Sequence, residues 1–538
     1  MIGFGTRITT LERPGWKRAF PGGIRNPTGE SLFMAFGRFA RIPSVVALLA
    51  AGLLAGVPAR ASGPVGAGPG CDPTRGAVAY GPGAAPAAPA PQPCLVATGF
   101  GGSETQLVSL NDGTLVYEPA ILTPGLAGTG FVPGAPGPVP STQLSPGGLA
   151  ISGDSGGQWA FDAPAGATWV PQDDALYVDR TTGRLFYYAL AANPIPAAGA
   201  VPLQDQIPAG EAHLMDSPDG GSTWSETGLA GYVESENPRF TSAPAPAGGI
   251  QPAGGYADVT YWCGNDSVNL GEPLPGYRAC YRSLDGGASW KFASILASGP
   301  VPQHSACGTN AETFSDMDPD YPEGAPDGSL YAEVNCGGVI YLARSTDEAS
   351  TWPLVDDGSG KPVTLPANGE LRVDSAGNLY LAYLVGAATL DLQSSRDGGL
   401  HWSPRIDMTP PAAAQGTVGQ WAVAERGVGE VAAAYLVQRS GGSDYDGYLS
   451  VTFDALGTNP VFWGSALNTQ VDPVRTSAPP PARDDYIGVD ITPDGTPWAS
   501  FAASCPGPVG SGTSPACAGQ ASNPEANEAV AGRLAFAF

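Results

Sequence analysis

The 538-residue chain is predicted to be all-β, built from one supersecondary unit repeated around a common core. Three observations carry this. A short motif, S-x-D-x-(G/A)-x-x-W, occurs five times, starting at residues 152, 217, 283, 345 and 395. Short runs rich in Tyr, Val, Leu and Phe follow polar Gly-containing turns along most of the chain, and no long helical period is visible. Glycine (76) and proline (55) are abundant, as many short strands joined by turns require. Self-similarity of this kind marks stacked copies of a single unit.

The motif is clearest at Ser217-Pro-Asp219-Gly-Gly221-Ser-Thr-Trp224, Ser283-Leu-Asp285-Gly-Gly287-Ala-Ser-Trp290 and Ser395-Arg-Asp397-Gly-Gly399-Leu-His-Trp402. Ser345-Thr-Asp347-Glu-Ala349-Ser-Thr-Trp352 has lost its glycines, and Ser152-Gly-Asp154-Ser-Gly156-Gly-Gln-Trp159 is the remaining copy. The Asp side chain can accept bonds from backbone N–H groups just downstream, and Gly supplies positive φ. The Trp opens the next strand with a large ring to bury. Each copy therefore reads as a hairpin turn with its own anchor, and a catalytic role for its Asp is not expected. These stretches resemble the Asp boxes, or BNR repeats, of the sialidase superfamily of β-propellers. That resemblance covers roughly residues 95–538 and implies four-stranded antiparallel blades with each box between the third and fourth strands, far from the active site.

Further turn-and-strand pairs fill in the units: Asn111-Asp112-Gly113 before Thr114–Tyr117, Gly183 before Arg184–Tyr188, Asp327-Gly328 before Ser329–Tyr331, and Gly377 before Asn378–Tyr383. Gly429 before Glu430–Tyr435 and Asp494-Gly495 before Thr496–Phe501 continue the series. The boxes mark five blades, residues 420–465 form a sixth with a decayed box, and residues 485–538 supply about three strands of a last one. A strand near Cys94–Ala97 would complete that blade and close the ring. Seven blades are expected, with six as the alternative.

Residues 1–61 read as a signal peptide. Arg38 and Arg41 precede an apolar run from Val45 to Val57, and Ala59-Arg60-Ala61 offers a small-x-small cleavage site. The run is short for a membrane span, and none follows. Residues 62–93, mostly Gly, Ala and Pro, read as an extended linker, and 94–538 as the propeller. All eight cysteines follow the signal, and an even count in an exported chain implies disulfides. Sequence neighbours are expected to pair: 71–94, 263–280, 307–336 and 505–517. The expected location is extracellular and the expected state monomeric.

Formal net charge is −25. Residues 1–61 hold eight basic and two acidic residues, which leaves 17 basic against 48 acidic, a net of −31. Such a chain repels nucleic acid and anionic lipid, so neither is expected as a partner. The expected partner is an extracellular glycan or protein, bound through loops on one propeller face.

The family resemblance implies, for a sialidase, three arginines clamping a carboxylate, a Tyr–Glu nucleophile and an Asp acid/base. Guanidinium suits this because its paired donors match two carboxylate oxygens. The only Arg-Ile-Pro, Arg41-Ile42-Pro43, abuts the signal's apolar core and leaves with it. No arginine lies between Arg75 and Arg180, so the first blade offers no clamp. A binding function is therefore expected ahead of glycoside hydrolysis of exo-sialidase type, unless later arginines such as Arg239, Arg282, Arg344 and Arg483 converge at the axis.

Two further stretches are candidates. Arg483, Asp485 and Tyr486 place a cation, a carboxylate and a phenol where the last blade's innermost strand begins, as a ligand site or as a solvated turn before a core Tyr. Asp316, Asp318 and Asp320 alternate as hard oxygen ligands for Ca²⁺ would, but the calcium-loop Gly is absent and an acidic surface loop is the favoured reading. No other cofactor is expected. His213, His304 and His401 are too scattered for a metal site or triad.

Overall fold

The computed structural model describes residues 69–84, 89–100, 105–118, 148–162, 170–192, 211–229, 239–265, 277–298, 321–475, 487–504 and 527–536. Two strands, β1 (Val78–Tyr80) and β2 (Gln92–Ala97), precede the repeated units. The first blade is β3 (Gln106–Ser109), β4 (Leu115–Glu118), β5 (Leu149–Ser152) and β6 (Ala160–Asp162). The second is β7 (Val170–Asp179), β8 (Arg184–Ala192), β9 (Glu211–Ser217) and β10 (Ser225–Leu229). The third is β11 (Arg239–Pro244), β12 (Asp258–Asn265), β13 (Tyr277–Ser283) and β14 (Lys291–Ser298).

The fourth blade pairs β15 (Glu323–Gly324), β16 (Leu330–Cys336) and β17 (Val339–Ser345), with its outer edge met by the bridges Ala343↔Leu354 and Tyr341↔Thr364. The fifth is β18 (Glu370–Val373), β19 (Leu379–Val385), β20 (Thr389–Ser395) and β21 (Ile406–Asp407). The sixth is β22 (Thr417–Glu425), β23 (Val431–Gln438), β24 (Tyr445–Thr452) and β25 (Phe462–Ala466). The seventh is β26 (Gly488–Ile491), β27 (Pro497–Ser504) and β28 (Asn527–Ala535), with β2 as its outermost strand.

The structure is thus a seven-bladed β-propeller, closed by the N-terminal strand that the sequence placed near Cys94. The innermost strands β3, β7, β11, β15, β18, β22 and β26 contact one another in that order, and β26 returns to β3. The stretch read as linker contributes more than a spacer. β1 adds a fifth strand to the sixth blade through Val78↔Gly464 and Tyr80↔Phe462. Arg75, in the same stretch, donates to the carbonyls of Ala466 and Leu467. Cys71–Cys94 and Cys263–Cys280 are disulfides, as the sequence spacing suggested. Cys336 is also disulfide-bonded. Cys307, Cys505 and Cys517, and the signal segment, lie outside the described residues.

Burial explains why the second strand of each unit reads as a nearly unbroken apolar run. In β8, Leu185, Tyr187 and Ala189 pack toward the first blade, while Phe186 and Tyr188 pack toward the third. Side chains alternate across a strand, and a blade has a neighbour on each face, so both sets are buried. Seven apolar clusters result among the described residues, one at each junction between blades.

The S-x-D turns share one bonding pattern. Ser217 Oγ donates to Asp219 at 3.0 Å, Gly221 N donates to Ser217 Oγ at 2.7 Å, and Thr223 N donates to Asp219 at 2.7 Å. The same three bonds recur from Ser152, Ser283, Ser345 and Ser395. Thr452 and Asp454 keep a reduced version in the sixth blade. The side-chain hydroxyl and backbone N–H of Thr223 hold the Asp219 carboxyl below its ordinary range. Each turn's Trp enters the junction with the preceding blade: Trp159 against Tyr117, Trp224 against Tyr187, and Trp290 against Phe186 and Phe240. In the fourth copy, Glu348 and Ala349 adopt φ of 55° and 60° without glycine. The Glu348 carboxylate meets Arg282 of the third blade at 3.3 Å, which ties that strained turn to its neighbour.

Candidate active site at the propeller axis

The innermost strands enclose a cavity of about 460 Å³ along the axis, lined by residues of all seven blades. Its charged lining comes mainly from the inner strands and the residues that directly follow them. Arg180 and Arg426 each follow an acidic residue at the end of an inner strand, in Asp179-Arg180-Thr-Thr-Gly183 and Glu425-Arg426-Gly-Val-Gly429. Arg239 opens β11, Arg372 lies within β18, and Asp490 lies within β26.

Arg372 is the most engaged guanidinium. Its Nη1 donates to Glu323 at 2.8 Å and to the Leu371 carbonyl at 2.8 Å, its Nη2 to Glu370 at 2.6 Å, and its Nε to the Val423 carbonyl at 2.8 Å. One side chain of the fifth blade thereby joins the fourth and sixth. Arg180 crosses the axis: Nη2 donates to Asp490 at 2.8 Å and Nη1 to the Glu425 carbonyl at 2.8 Å. Asp490 Oδ2 also accepts from Ser109 N at 2.6 Å and Ser109 Oγ at 2.9 Å. Arg426 donates to Ser109 Oγ at 3.0 Å and to the Ile491 carbonyl at 2.7 Å. Arg239 stands apart. Its nearest carboxylate oxygen is on Glu370 at 3.7 Å, its guanidinium lies 5.4 Å from the Tyr321 ring centroid, and its side chain is 32% exposed against 12% for Arg372.

Burial sets the protonation states. It pushes the Glu425 carboxyl up to about 8, partly offset by Arg180 and reinforced by Glu323. It raises Glu323 as well, against the pull of Arg372 and Arg239. Burial, and then the neighbouring Arg372, lowers Arg239. For Arg180, burial is outweighed by Asp490 and Glu425, so its guanidinium is held more firmly charged. Tyr177 is driven well up by burial and by Asp179, and its hydroxyl meets Ser242 Oγ at 2.6 Å. Chemically, the pocket offers paired donors and acceptors along its wall and one carboxyl that holds its proton at neutral pH.

Four arginines therefore converge at the axis, the exception that the sequence left open when it found no clamp in the first blade. The first blade indeed supplies no arginine, but Arg180, Arg239, Arg372 and Arg426 arrive from the second, third, fifth and sixth. Of the later arginines the sequence suggested, Arg239 is the one among the described residues that lies at the axis. Arg282 pairs with Glu348 and Arg344 with Asp327, both outside the cavity lining. Arg483, Asp485 and Tyr486 lie outside the described residues, as do Asp316, Asp318 and Asp320. Among the described residues, no three His, Cys, Asp or Glu side chains are arranged to hold a metal ion. His213 instead meets Glu226, and His401 meets Asp397 at 2.7 Å. Sequence reasoning passed over Arg180, Arg372, Arg426, Glu370, Glu425 and Asp490. The acidic-Arg-x-x-Gly pattern at two inner-strand ends was the available signal.

No family model matches the chain, and no curated protein does. Solved structures do match. A Hadza microbial sialidase aligns at 16% identity over 68% of this chain and 65% of its own, with a TM-score of 0.37. The GH74 xyloglucanase from Xanthomonas campestris aligns at 18% identity over 76% of this chain and 53% of its own, with a TM-score of 0.39. The Penicillium chrysogenum alpha-L-arabinanase complexed with arabinobiose aligns at 14% identity over 69% of this chain and 98% of its own, with a TM-score of 0.33. The chain thus spans just under two thirds of the sialidase's length.

Proposed function

We propose that this chain is an exported, monomeric, carbohydrate-binding β-propeller of the Asp-box type, with its ligand seated in the axial pocket. The pocket itself carries the reading. A concavity of about 460 Å³ suits a small polar ligand rather than a protein face. Its wall alternates guanidinium and carboxylate, which supplies the donors and acceptors that sugar hydroxyls need. Export is supported by the apolar run ahead of Ala59-Arg60-Ala61 and by the disulfides Cys71–Cys94 and Cys263–Cys280. No described helix is long and apolar enough to cross a membrane.

The second reading is a glycoside hydrolase, and Glu425 favours it. A carboxyl held protonated to about pH 8 inside a charged pocket is suited to donate a proton to a leaving oxygen. A glycan array probed with the purified mature chain, run beside fluorogenic glycosides that include a sialoside, separates the two. Binding without turnover is expected. Turnover abolished by Glu425→Gln would make the hydrolase reading the leading one, and neither binding nor turnover would refute both.

A further inference from the structure

We propose that the axial pocket selects uncharged glycans and rejects carboxylated ones, because Glu370 of the chain already occupies the seat between two arginines. The inference rests on reading this pocket as a glycan site. Glu370 places Oε2 2.6 Å from Arg372 Nη2 and Oε1 3.7 Å from Arg239 Nη2. Oε2 also accepts from Val423 N at 3.1 Å, and the residue is 6% exposed. A bound carboxylate would sit between the two guanidiniums in the same way. To enter, a carboxylated sugar must displace Glu370 or share its donors. Displacement strands a buried carboxylate whose remaining partner is a single backbone N–H, and sharing sets two anions side by side. Either route costs far more than an exposed ion pair returns.

The hydrogen bonds of the axial guanidiniums do not relieve this, since Arg426 too is held, by Ser109 Oγ and the Ile491 carbonyl. Besides Glu370, Arg372 already donates to three acceptors, Glu323 and the Leu371 and Val423 carbonyls. Arg180 is held by Asp490 and the Glu425 carbonyl. Arg239, with its side chain 32% exposed, could offer one edge to an anion but has no second free partner beside it. A neutral sugar faces no such barrier, since its hydroxyls can accept from Arg239 and donate to carboxylate oxygens without displacing any charge.

The test uses an array of neutral oligosaccharides printed beside sialylated and uronate-bearing counterparts of the same cores. Wild-type protein is expected to retain neutral probes and to bind their carboxylated counterparts about a hundredfold more weakly, the scale of one stranded buried charge. Glu370→Gln removes the internal anion and keeps the side chain's shape, so it should gain carboxylated probes. Glu323→Gln, which frees Arg372 from the other side, should gain them less. Near-ultraviolet circular dichroism checks that both variants are folded. Equal or preferred retention of carboxylated probes by wild type overturns the inference and leaves the glycan-site reading standing. A folded Glu370→Gln that gains nothing also overturns it. Retention of no glycan at all refutes the glycan-site reading, and this inference with it.

Discussion

Arg180 of the second blade donates to Asp490 of the seventh at 2.8 Å, passing over the first blade instead of following the ring. The same guanidinium reaches the Glu425 carbonyl of the sixth blade. A propeller is held mainly by contacts between neighbouring blades, so a side chain that bridges non-neighbours braces the closure from inside. Arg180→Ala leaves Asp490, whose side chain is 7% exposed, without its directly bonded cation. A loss of about 1–3 kcal/mol in urea unfolding is expected, reduced from the fully buried case because Arg180 is a third exposed. A loss no larger than about 0.5 kcal/mol, typical of an ordinary surface change, would show that the crossing contact braces nothing.

Stability should depend on pH through Glu425. Its carboxyl sits at about 8 in the folded chain against an ordinary 4.5, so the fold holds this proton more tightly than the unfolded chain does. The contribution is therefore complete below about 4.5 and is lost as pH rises through about 8. Thermal melts of wild type should fall in Tm across that interval, and Glu425→Gln should flatten the slope. An unchanged slope in the variant would assign the dependence to other groups.

Trp352 is 4% exposed and donates to Ser294 Oγ at 2.9 Å on the third blade. Trp352→Ala should cost about 3–5 kcal/mol by emptying the junction between the third and fourth blades. Trp352→Phe keeps most of the ring and loses one hydrogen bond, so it should cost clearly less. Denaturant midpoints for the pair check this. Equal losses would place the energy in the hydrogen bond and not in the ring.

The Cys71–Cys94 disulfide clasps the N-terminal segment that supplies β1 to the sixth blade and β2 to the seventh. Cys94→Ser should lower stability by about 2–4 kcal/mol, the usual range for such a loop. Alkylation of the purified chain without reductant, followed by mass spectrometry, should modify no cysteine. Modification at Cys71 or Cys94 would show the clasp open in the folded protein.

Blade number, ring closure by the strand near Cys94 and the positions of the S-x-D turns were legible in the sequence. They depend on short-range chemistry: Asp and Ser bonding to backbone N–H groups within a few residues, glycine at positive φ, and β-rich runs after turns. Two disulfides followed the same local logic, between cysteines 23 and 17 residues apart. The tertiary structure decided what those elements do to one another. Trp224 reads as the anchor of its own strand, yet it packs against Tyr187 at the junction with the first blade, and Glu348 reads as a lost glycine, yet it answers Arg282. The axial pocket was hidden for the same reason. Arg180, Arg372 and Asp490 are spread over more than half the chain and meet only because seven inner strands share one axis. Sequence alone determined the repeated unit. Only closure of the ring could set which charges face each other, because electrostatic pairing depends on distance in space and not along the chain.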